Sequence, residues 1–278
     1  MYISQFKSSK RIQYQVLVVI AITLFANAIQ LVSSNEQDEN RLQNRQATLR
    51  LLVITMATDP NDEGFKRFNR SVEAYGLDLV VLGANEKWLG GRQRIDLFRK
   101  ALAVYKSEQD LVLLIVHSSD LILNGDKRDL LSRLGKFKPR TRIVFAAESN
   151  CWPDSSLESK YPSPLAGGER FLDSSAFIGF APDLWELINL SDDSSATSDD
   201  QLYFTKAYLN EEIRQRLAIE LDHKAELFQS LQAKESEVEL EFNPDSVKVK
   251  NTAYLTEPVV VHANGPSRVS LLPYLLSL

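Results

Sequence analysis

Short apolar runs alternate along the chain with segments whose apolar residues recur at helical spacing. Residues 49–55, 77–82 and 111–116 are almost continuously apolar, which is typical of strands buried on both faces of a sheet. Residues 62–75 and 93–105 lie between these runs and carry apolar residues at intervals of three and four. This β-α-β-α-β alternation predicts an α/β fold with a Rossmann-like mixed sheet flanked by helices.

The third apolar run changes abruptly into the polar residues His117, Ser118, Ser119 and Asp120. Open α/β sheets bind ligands at the carboxyl ends of such strands. His117 and Asp120 are both able to bind a divalent cation, and a cation there would hold a diphosphate. The alternative is a Ser/Asp turn that only follows a core strand, and these residues alone leave both interpretations open.

Three other polar groups stand at predicted strand ends or loops: Thr55 to Asp59, Asp199 with Asp200, and His262 with Asn264. Loops at one edge of a sheet can converge although they are distant in sequence. Asp199 and Asp200 fit an N-terminal helix cap equally well, since a helix is predicted from residue 201 to 209. The alternative for His262 is an ordinary loop histidine.

The middle of the chain contains a long loop, residues 148–170, and loops of this length in a compact domain are usually functional. Trp152 in this loop would either cover the sheet edge or stack on a ligand. Residues 171–181 predict a turn that leads into a strand. The remaining pattern predicts a helix at 127–134 and strands at 142–147, 217–221, 238–242, 247–249 and 258–261.

The amino end has the pattern of a secretory signal peptide. Lys7, Lys10 and Arg11 precede an apolar run, residues 16–25, and Ala26-Asn27-Ala28 fits a small-x-small cleavage site. The alternative is a signal anchor that extends to residue 32, although Asn27 and Gln30 make that segment a poor transmembrane helix. The predicted organisation is a signal peptide or anchor at 1–28, a polar linker at 29–48, a folded domain at 49–270 and a C-terminal tail at 271–278.

Composition narrows the function classes. The 278 residues carry a net charge of −5 with three scattered His, and they show neither a basic stripe nor zinc spacing, so nucleic-acid binding is not expected. Cys151 is the only cysteine, which excludes an internal disulfide. Entry into the secretory pathway would make Asn69-Arg70-Ser71 and Asn189-Leu190-Ser191 acceptors for N-glycosylation.

Several runs resemble, in the same order, the N-terminal glycosyltransferase domain of procollagen-lysine hydroxylases, and the resemblance covers residues 49–270. The matching runs are Ala147-Glu148-Ser149-Asn150-Cys151-Trp152-Pro153, Arg170-Phe171-Leu172 through Phe177-Ile178-Gly179-Phe180, Asp199-Asp200-Gln201-Leu202-Tyr203, Leu221-Asp222-His223-Lys224, and Val261-His262-Ala263-Asn264-Gly265-Pro266. The preserved order makes the match specific, whereas the Asp pair alone would not.

The resemblance implies a GT-A-like fold that binds a UDP-sugar through Mn²⁺. It assigns the metal to the positions of His117, Asp120 and His262. It places Asp199, Asp200, Asn264 and Trp152 near donor and acceptor as catalytic residues, and Thr55, Ser119 and Gly265 as cofactor-binding residues.

The reaction implied by the resemblance is transfer of glucose or galactose from a UDP-hexose to hydroxylysine-linked acceptors. The partners are then collagen-like or other glycoprotein acceptors, and a homo-oligomer is compatible with the sequence. The implied location is the endoplasmic reticulum lumen, with secretion as the alternative.

Two motifs depart from the family pattern. Asp-Ser-Tyr-Asp is replaced by His117-Ser118-Ser119-Asp120, which removes one carboxylate and a Tyr placed to stack on uracil. Asn-Ser-Gly-Gly is replaced by Asp173-Ser174-Ser175-Ala176, so side chains stand where bare backbone allows close approach. These changes keep open a second hypothesis, a non-catalytic relative that acts as a binding or scaffold protein, and a third, a transferase or hydrolase with another nucleotide donor.

Overall fold

A computed structural model describes residues 48–164, 167–190, 199–232, 234–243 and 246–263. All of its elements lie in the unit that begins at Leu49. In chain order the strands are β1 Arg50–Met56, β2 Leu79–Leu82, β3 Leu111–His117, β4 Leu121–Leu123, β5 Ile143–Glu148, β6 Phe171–Phe180, β7 Ile219–Leu221, β8 Phe228–Ser230, β9 Val238–Asn243, β10 Ser246–Asn251 and β11 Val260–His262. The α-helices are α1 Glu63–Ala74, α2 Gly91–Leu102, α3 Lys127–Leu134, α4 Ala181–Ile188, α5 Asp200–Leu209 and α6 Glu211–Arg216.

Six strands form the main sheet in the order β2-β1-β3-β6-β5-β7. Strand β1 is parallel to β2 and β3, whereas β6 runs antiparallel to both β3 and β5. The predicted α/β fold with a Rossmann-like mixed sheet is therefore confirmed. Because β1 and β3 run in the same direction, their carboxyl ends lie at the same edge of the sheet, where the predicted polar residues follow.

Apolar side chains cover both faces of this sheet. The apolar residues of β3, from Leu111 to Val116, are all buried, and alternate residues enter the clusters on opposite faces. Helix α1 packs Phe68 and Val72 on one face, and α2 packs Phe98 on the other, as their helical spacing predicted. The rigid centre of the fold is thus built from the segments with the clearest patterns.

The turn predicted within residues 171–181 is wrong. This segment is the ten-residue strand β6, and all of its residues are buried. Its polar residues gave the appearance of a turn, but a β-bulge accommodates them, because the register with β5 shifts from Phe145↔Phe177 to Ala146↔Asp173. The long loop before it also contains a 3₁₀ helix, Ser155–Lys160.

A second sheet has three strands in the order β4-β11-β8. The sequence pattern predicted β11 but neither β4 nor β8. Each has three residues, too few to show a period. Strand β4 follows Asp120 directly and pairs with β11, so Leu121 lies opposite His262. The Ala263 N–H donates to the Asp120 carbonyl at 2.8 Å, which fixes Asp120 beside His262.

Within the described ranges, none of the helices combines the length and hydropathy that a membrane span requires. The predicted signal segment and most of the linker lie outside those ranges.

Candidate functional site

Two adjoining cavities lie at the carboxyl edge of β1 and β3. The smaller, of about 270 Å³, follows the ends of these strands, and its lining includes Thr58, Asp59, Phe65, Trp88 and Ser119. The larger, of about 570 Å³, is lined by residues that include Glu148, Trp152, Asp173, Asp199, Asp200 and His262. Arg94 and His117 line both cavities and therefore mark their junction.

His262 lies between two carboxylates in the larger cavity. Its Nε2 is 3.4 Å from Asp120 Oδ1, and its Nδ1 is 3.1 Å from Asp173 Oδ2 and 2.9 Å from Ser175 Oγ. Burial alone would lower the pKa of His262, but Asp173 and Asp120 together raise it to about 10. Each ring nitrogen therefore already has a carboxylate partner.

The β6 bulge explains why Asp173 and Ser175 reach His262. A bulge leaves backbone groups without strand partners and redirects side chains. Gln201 on α5 satisfies these groups: its Oε1 accepts from the Ser174 N–H at 2.7 Å, and its Nε2 donates to the Leu172 carbonyl at 2.6 Å. Gln201 thereby holds the segment that carries Asp173.

His117 is hydrogen-bonded to Arg94. Its Nε2 is 2.6 Å from Arg94 Nη1, which also contacts Asp200 Oδ2 at 2.5 Å. Burial and the Arg94 charge lower the pKa of His117 well below its usual value. A neutral imidazole can accept a hydrogen bond, so Nε2 serves as an acceptor for the guanidinium.

Asp199 and Asp200 have different roles at the start of α5. The Asp199 side chain accepts from the Leu202 N–H at 2.8 Å, so Asp199 is the N-cap that the alternative interpretation predicted. Asp200 is the first residue of the helix and pairs with Arg94. This contact depends on Gly91, where an added Cβ would lie only 2.6 Å from the Asp200 backbone nitrogen.

Three further predicted residues occupy different surroundings. Thr55 is fully buried and donates to the Val116 carbonyl at 2.8 Å, so it joins β1 to β3 and lines neither cavity. Ser119 lines the smaller cavity. Trp152 lines the larger one and is 64% exposed. Asn264 and Gly265 lie outside the described residues.

The three predicted metal ligands are therefore only partly brought together. Asp120 and His262 are neighbours, whereas His117 is hydrogen-bonded to Arg94. Among the residues that the structure describes, there is no group of three His, Cys, Asp or Glu that could hold a metal ion.

Arg94, Glu148 and Gln201 are among the residues of the site that were not predicted. Glu148 ends the strand β5 and lines the larger cavity, and burial together with the nearby Asp173 raises its pKa to about 8. Its place after an apolar run is the signal that could have identified it. Arg94 and Gln201 lie within helices and carry no comparable signal.

Comparison with known proteins identifies relatives over most of the chain. The family model described as the PLOD GT domain matches residues 47–275. Procollagen-lysine,2-oxoglutarate 5-dioxygenase 1 of Mus musculus is 38% identical over 259 residues, which cover 90% of this chain and 34% of that protein. The multifunctional procollagen lysine hydroxylase and glycosyltransferase LH3 of Homo sapiens is 38% identical over 233 residues, or 80% of this chain and 30% of that protein.

The chain thus spans about a third of the length of these relatives. Among solved structures, a glycosyltransferase involved in glycosylation of the major capsid of PBCV-1 has a TM-score of 0.49 at 10% identity, covering 82% of this chain and 99% of that chain. The family match, together with the mixed α/β sheet, confirms the predicted resemblance and the GT-A-like fold class. The chain belongs to the PLOD glycosyltransferase domain family.

Proposed function

We propose that this chain transfers a hexose, glucose or galactose, from a UDP-sugar to hydroxylysine-linked acceptors of collagen-like proteins. The observation that carries the proposal is the pair of adjoining cavities at the carboxyl edge of β1 and β3, in a chain of the PLOD glycosyltransferase family. Transfer requires a donor nucleotide and an acceptor on either side of the reacting sugar, and two cavities that share a junction provide that arrangement.

In this proposal, the smaller cavity binds the nucleoside of the donor. Phe65 and Trp88 supply aromatic surfaces on which a base stacks, although Ser119 replaces the Tyr of the family motif. Asp59 and Asp62 supply acceptors for ribose hydroxyls. The base therefore has stacking partners in this chain despite the change at residue 119.

In this proposal, the larger cavity binds the sugar of the donor and the acceptor. In the reaction, the bond between the anomeric carbon and the diphosphate breaks, a bond to the acceptor oxygen forms, and the acceptor hydroxyl gives its proton to the Glu148 carboxylate acting as the base. Glu148 lines this cavity, and its pKa of about 8 makes it a carboxyl that can exchange a proton near neutral pH. Trp152 and Asp200 line the same cavity and would orient the sugar or acceptor.

The manganese ion implied by the resemblance does not fit the side chains of this site. Of the three predicted ligands, His117 is engaged by Arg94, and His262 has a carboxylate against each ring nitrogen. Mn²⁺ prefers oxygen ligands, and Asp120 is the only one of the three predicted ligands that provides oxygen atoms.

We further propose that the chain acts in the secretory pathway, in the lumen of the endoplasmic reticulum. The signal-peptide pattern of residues 1–28 supports this location. Asn69 and Asn189 would then be available for N-glycosylation. A collagen-like acceptor is consistent with the same location, because the relatives are named for procollagen lysine modification.

A second function is favoured by the changes at His117 and Ser119: a non-catalytic relative that binds an acceptor protein without transferring sugar. A transfer assay separates the two. Purified chain is incubated with UDP-glucose or UDP-galactose and collagen peptides that carry hydroxylysine or galactosyl-hydroxylysine, and hexose addition is followed by mass spectrometry.

The proposal predicts addition of one hexose, with a large loss of rate in Glu148→Gln and no loss in the exposed control Glu239→Gln. Absence of transfer with every donor and acceptor pair, from a chain that melts cooperatively, would contradict the enzymatic function and favour the binding protein.

A further inference from the structure

Arg94 occupies the junction between the two cavities. Its side chain is 16% exposed, and its Nη1 lies 2.6 Å from His117 Nε2 and 2.5 Å from Asp200 Oδ2. The guanidinium carbon is also 5.3 Å from the centre of the Trp88 ring. Three neighbours therefore fix one cation at the point where a donor would pass from its nucleoside to its sugar.

This guanidinium retains unused donors. An arginine has five N–H donors, and in the described part of the chain only those of Nη1 have hydrogen-bond partners. The Nε atom is buried without any partner there. A buried polar atom without a partner is costly unless a ligand satisfies it. Phosphate oxygens match the planar fork of an arginine and are held by it in pairs.

The residue at position 117 determines how much of this charge is available. The family motif has a carboxylate at this position, and a carboxylate next to Arg94 would form an ion pair that neutralises the guanidinium. His117 instead offers a neutral nitrogen, which orients Arg94 through one hydrogen bond without cancelling its charge. Among the described residues, Asp200 is the carboxylate that pairs with Arg94, and it lies on the larger-cavity side.

We propose that Arg94 is the group that binds the diphosphate of the donor in this chain, in the place that a divalent cation takes when residue 117 is a carboxylate. This inference rests on the proposed function, since it requires a nucleoside-diphosphate donor. The change of a predicted metal ligand to His117 is then not simply a loss, because it places no second carboxylate beside Arg94, which already pairs with Asp200.

Calorimetric titration of the full chain with UDP and with uridine tests this assignment. Both ligands are titrated in EDTA and in excess Mn²⁺ against the wild type, Arg94→Gln and Arg92→Gln. Arg92 is the matched control, because it lies on the same helix but pairs with Asp96 and lines neither cavity. A third variant, His117→Asp, restores the carboxylate of the family motif.

The wild type is expected to bind UDP in EDTA, with little gain from Mn²⁺. In EDTA, Arg94→Gln should weaken UDP binding by about tenfold or more, while its affinity for uridine and the behaviour of Arg92→Gln stay close to wild type. His117→Asp should make UDP binding depend on Mn²⁺.

Three results would overturn the inference. If the wild type binds UDP only with Mn²⁺, a metal holds the diphosphate, and the proposed function still stands. If Arg94→Gln weakens uridine and UDP equally, Arg94 has a structural role only. If neither ligand binds under any condition, the proposed donor fails and the inference fails with it.

Discussion

At the scale of single residues, Glu148 and Gln201 are the buried polar groups whose roles follow most directly from their contacts. Glu148 is a buried acid whose pKa is raised by desolvation and by the charge of Asp173, and His262 offsets this only in part. Gln201 is a neutral side chain that satisfies backbone groups of the β6 bulge. Glu148 should therefore make the stability depend on pH, whereas Gln201 stabilises the fold through its hydrogen bonds.

Glu148 should make stability depend on pH. Because burial and Asp173 raise its pKa to about 8, the folded chain retains a proton that the unfolded chain releases near its ordinary pKa. Its contribution to stability is fully present below the ordinary pKa and is lost as pH rises toward about 8. Glu148→Gln should therefore gain stability relative to wild type, by about 2–4 kcal/mol, between about pH 5 and pH 8.

Urea unfolding of both proteins at several pH values measures this difference. The control Glu239→Gln changes an exposed glutamate of β9 and should give a difference that does not vary with pH. A difference between Glu148→Gln and wild type that is equally flat would contradict the assignment of a raised pKa to Glu148.

Gln201→Ala should be strongly destabilising. The change leaves the Ser174 N–H and the Leu172 carbonyl without their partner, and each unsatisfied buried group costs about 1–3 kcal/mol. The expected loss is about 2–4 kcal/mol, measured by chemical denaturation. Gln215→Ala, on the surface of α6, removes only a hydrogen bond to Glu211 and should cost less than about 0.5 kcal/mol. Equal effects of the two changes would refute the bulge-supporting role.

At the scale of elements, the site depends on two close approaches that bring helices to the sheet edge. Gly64 at the start of α1 packs on the backbone of Ser119, where an added Cβ would lie 2.1 Å from the carbonyl oxygen. Gly91 at the start of α2 packs equally closely on the start of α5, where an added Cβ would lie 2.6 Å from the Asp200 backbone nitrogen. These contacts position Phe65 at the smaller cavity and Arg94 at the junction.

Gly91→Ala tests the second approach. Alanine is the better helix former, so the change would stabilise α2 by about 0.5–1 kcal/mol if space were available. The added Cβ instead meets Asp200 Oδ1 at 2.5 Å, and the two helices must separate. The expected result is a loss of about 1–3 kcal/mol in thermal or urea unfolding. Lys100→Ala, on the exposed face of the same helix, should be close to neutral, and a stabilised Gly91→Ala would contradict the close approach.

At the scale of the whole molecule, the sequence predicts the part of the fold that local patterns encode. The continuous apolar run of β3 and the polar residues after it are visible in the chain, and residues 117–119 line a cavity at the carboxyl edge of the mixed sheet. The helical spacing around Phe68 and Phe98 likewise gives α1 and α2.

The partners of the site residues could not be read in the same way, because they come from distant pairings. Asp120 meets His262 through β4 and β11, strands of three residues each. Asp173 reaches His262 through a bulge that looked like a turn. The Arg94–His117 contact joins a helix to a strand end, and the local spacing of apolar residues carries no information about such a contact.

The central claim is that the cavities at the carboxyl edge of β1 and β3 form the donor site, and hydrogen exchange with mass spectrometry tests it most directly. Saturating UDP should slow exchange in residues 57–65 and 117–120, and leave the β9–β10 hairpin unchanged as an internal control. Arg92→Gln should show the same protection, because it lies outside both cavities. Protection confined to another part of the chain, or none at all at saturating UDP, would contradict the placement of the donor.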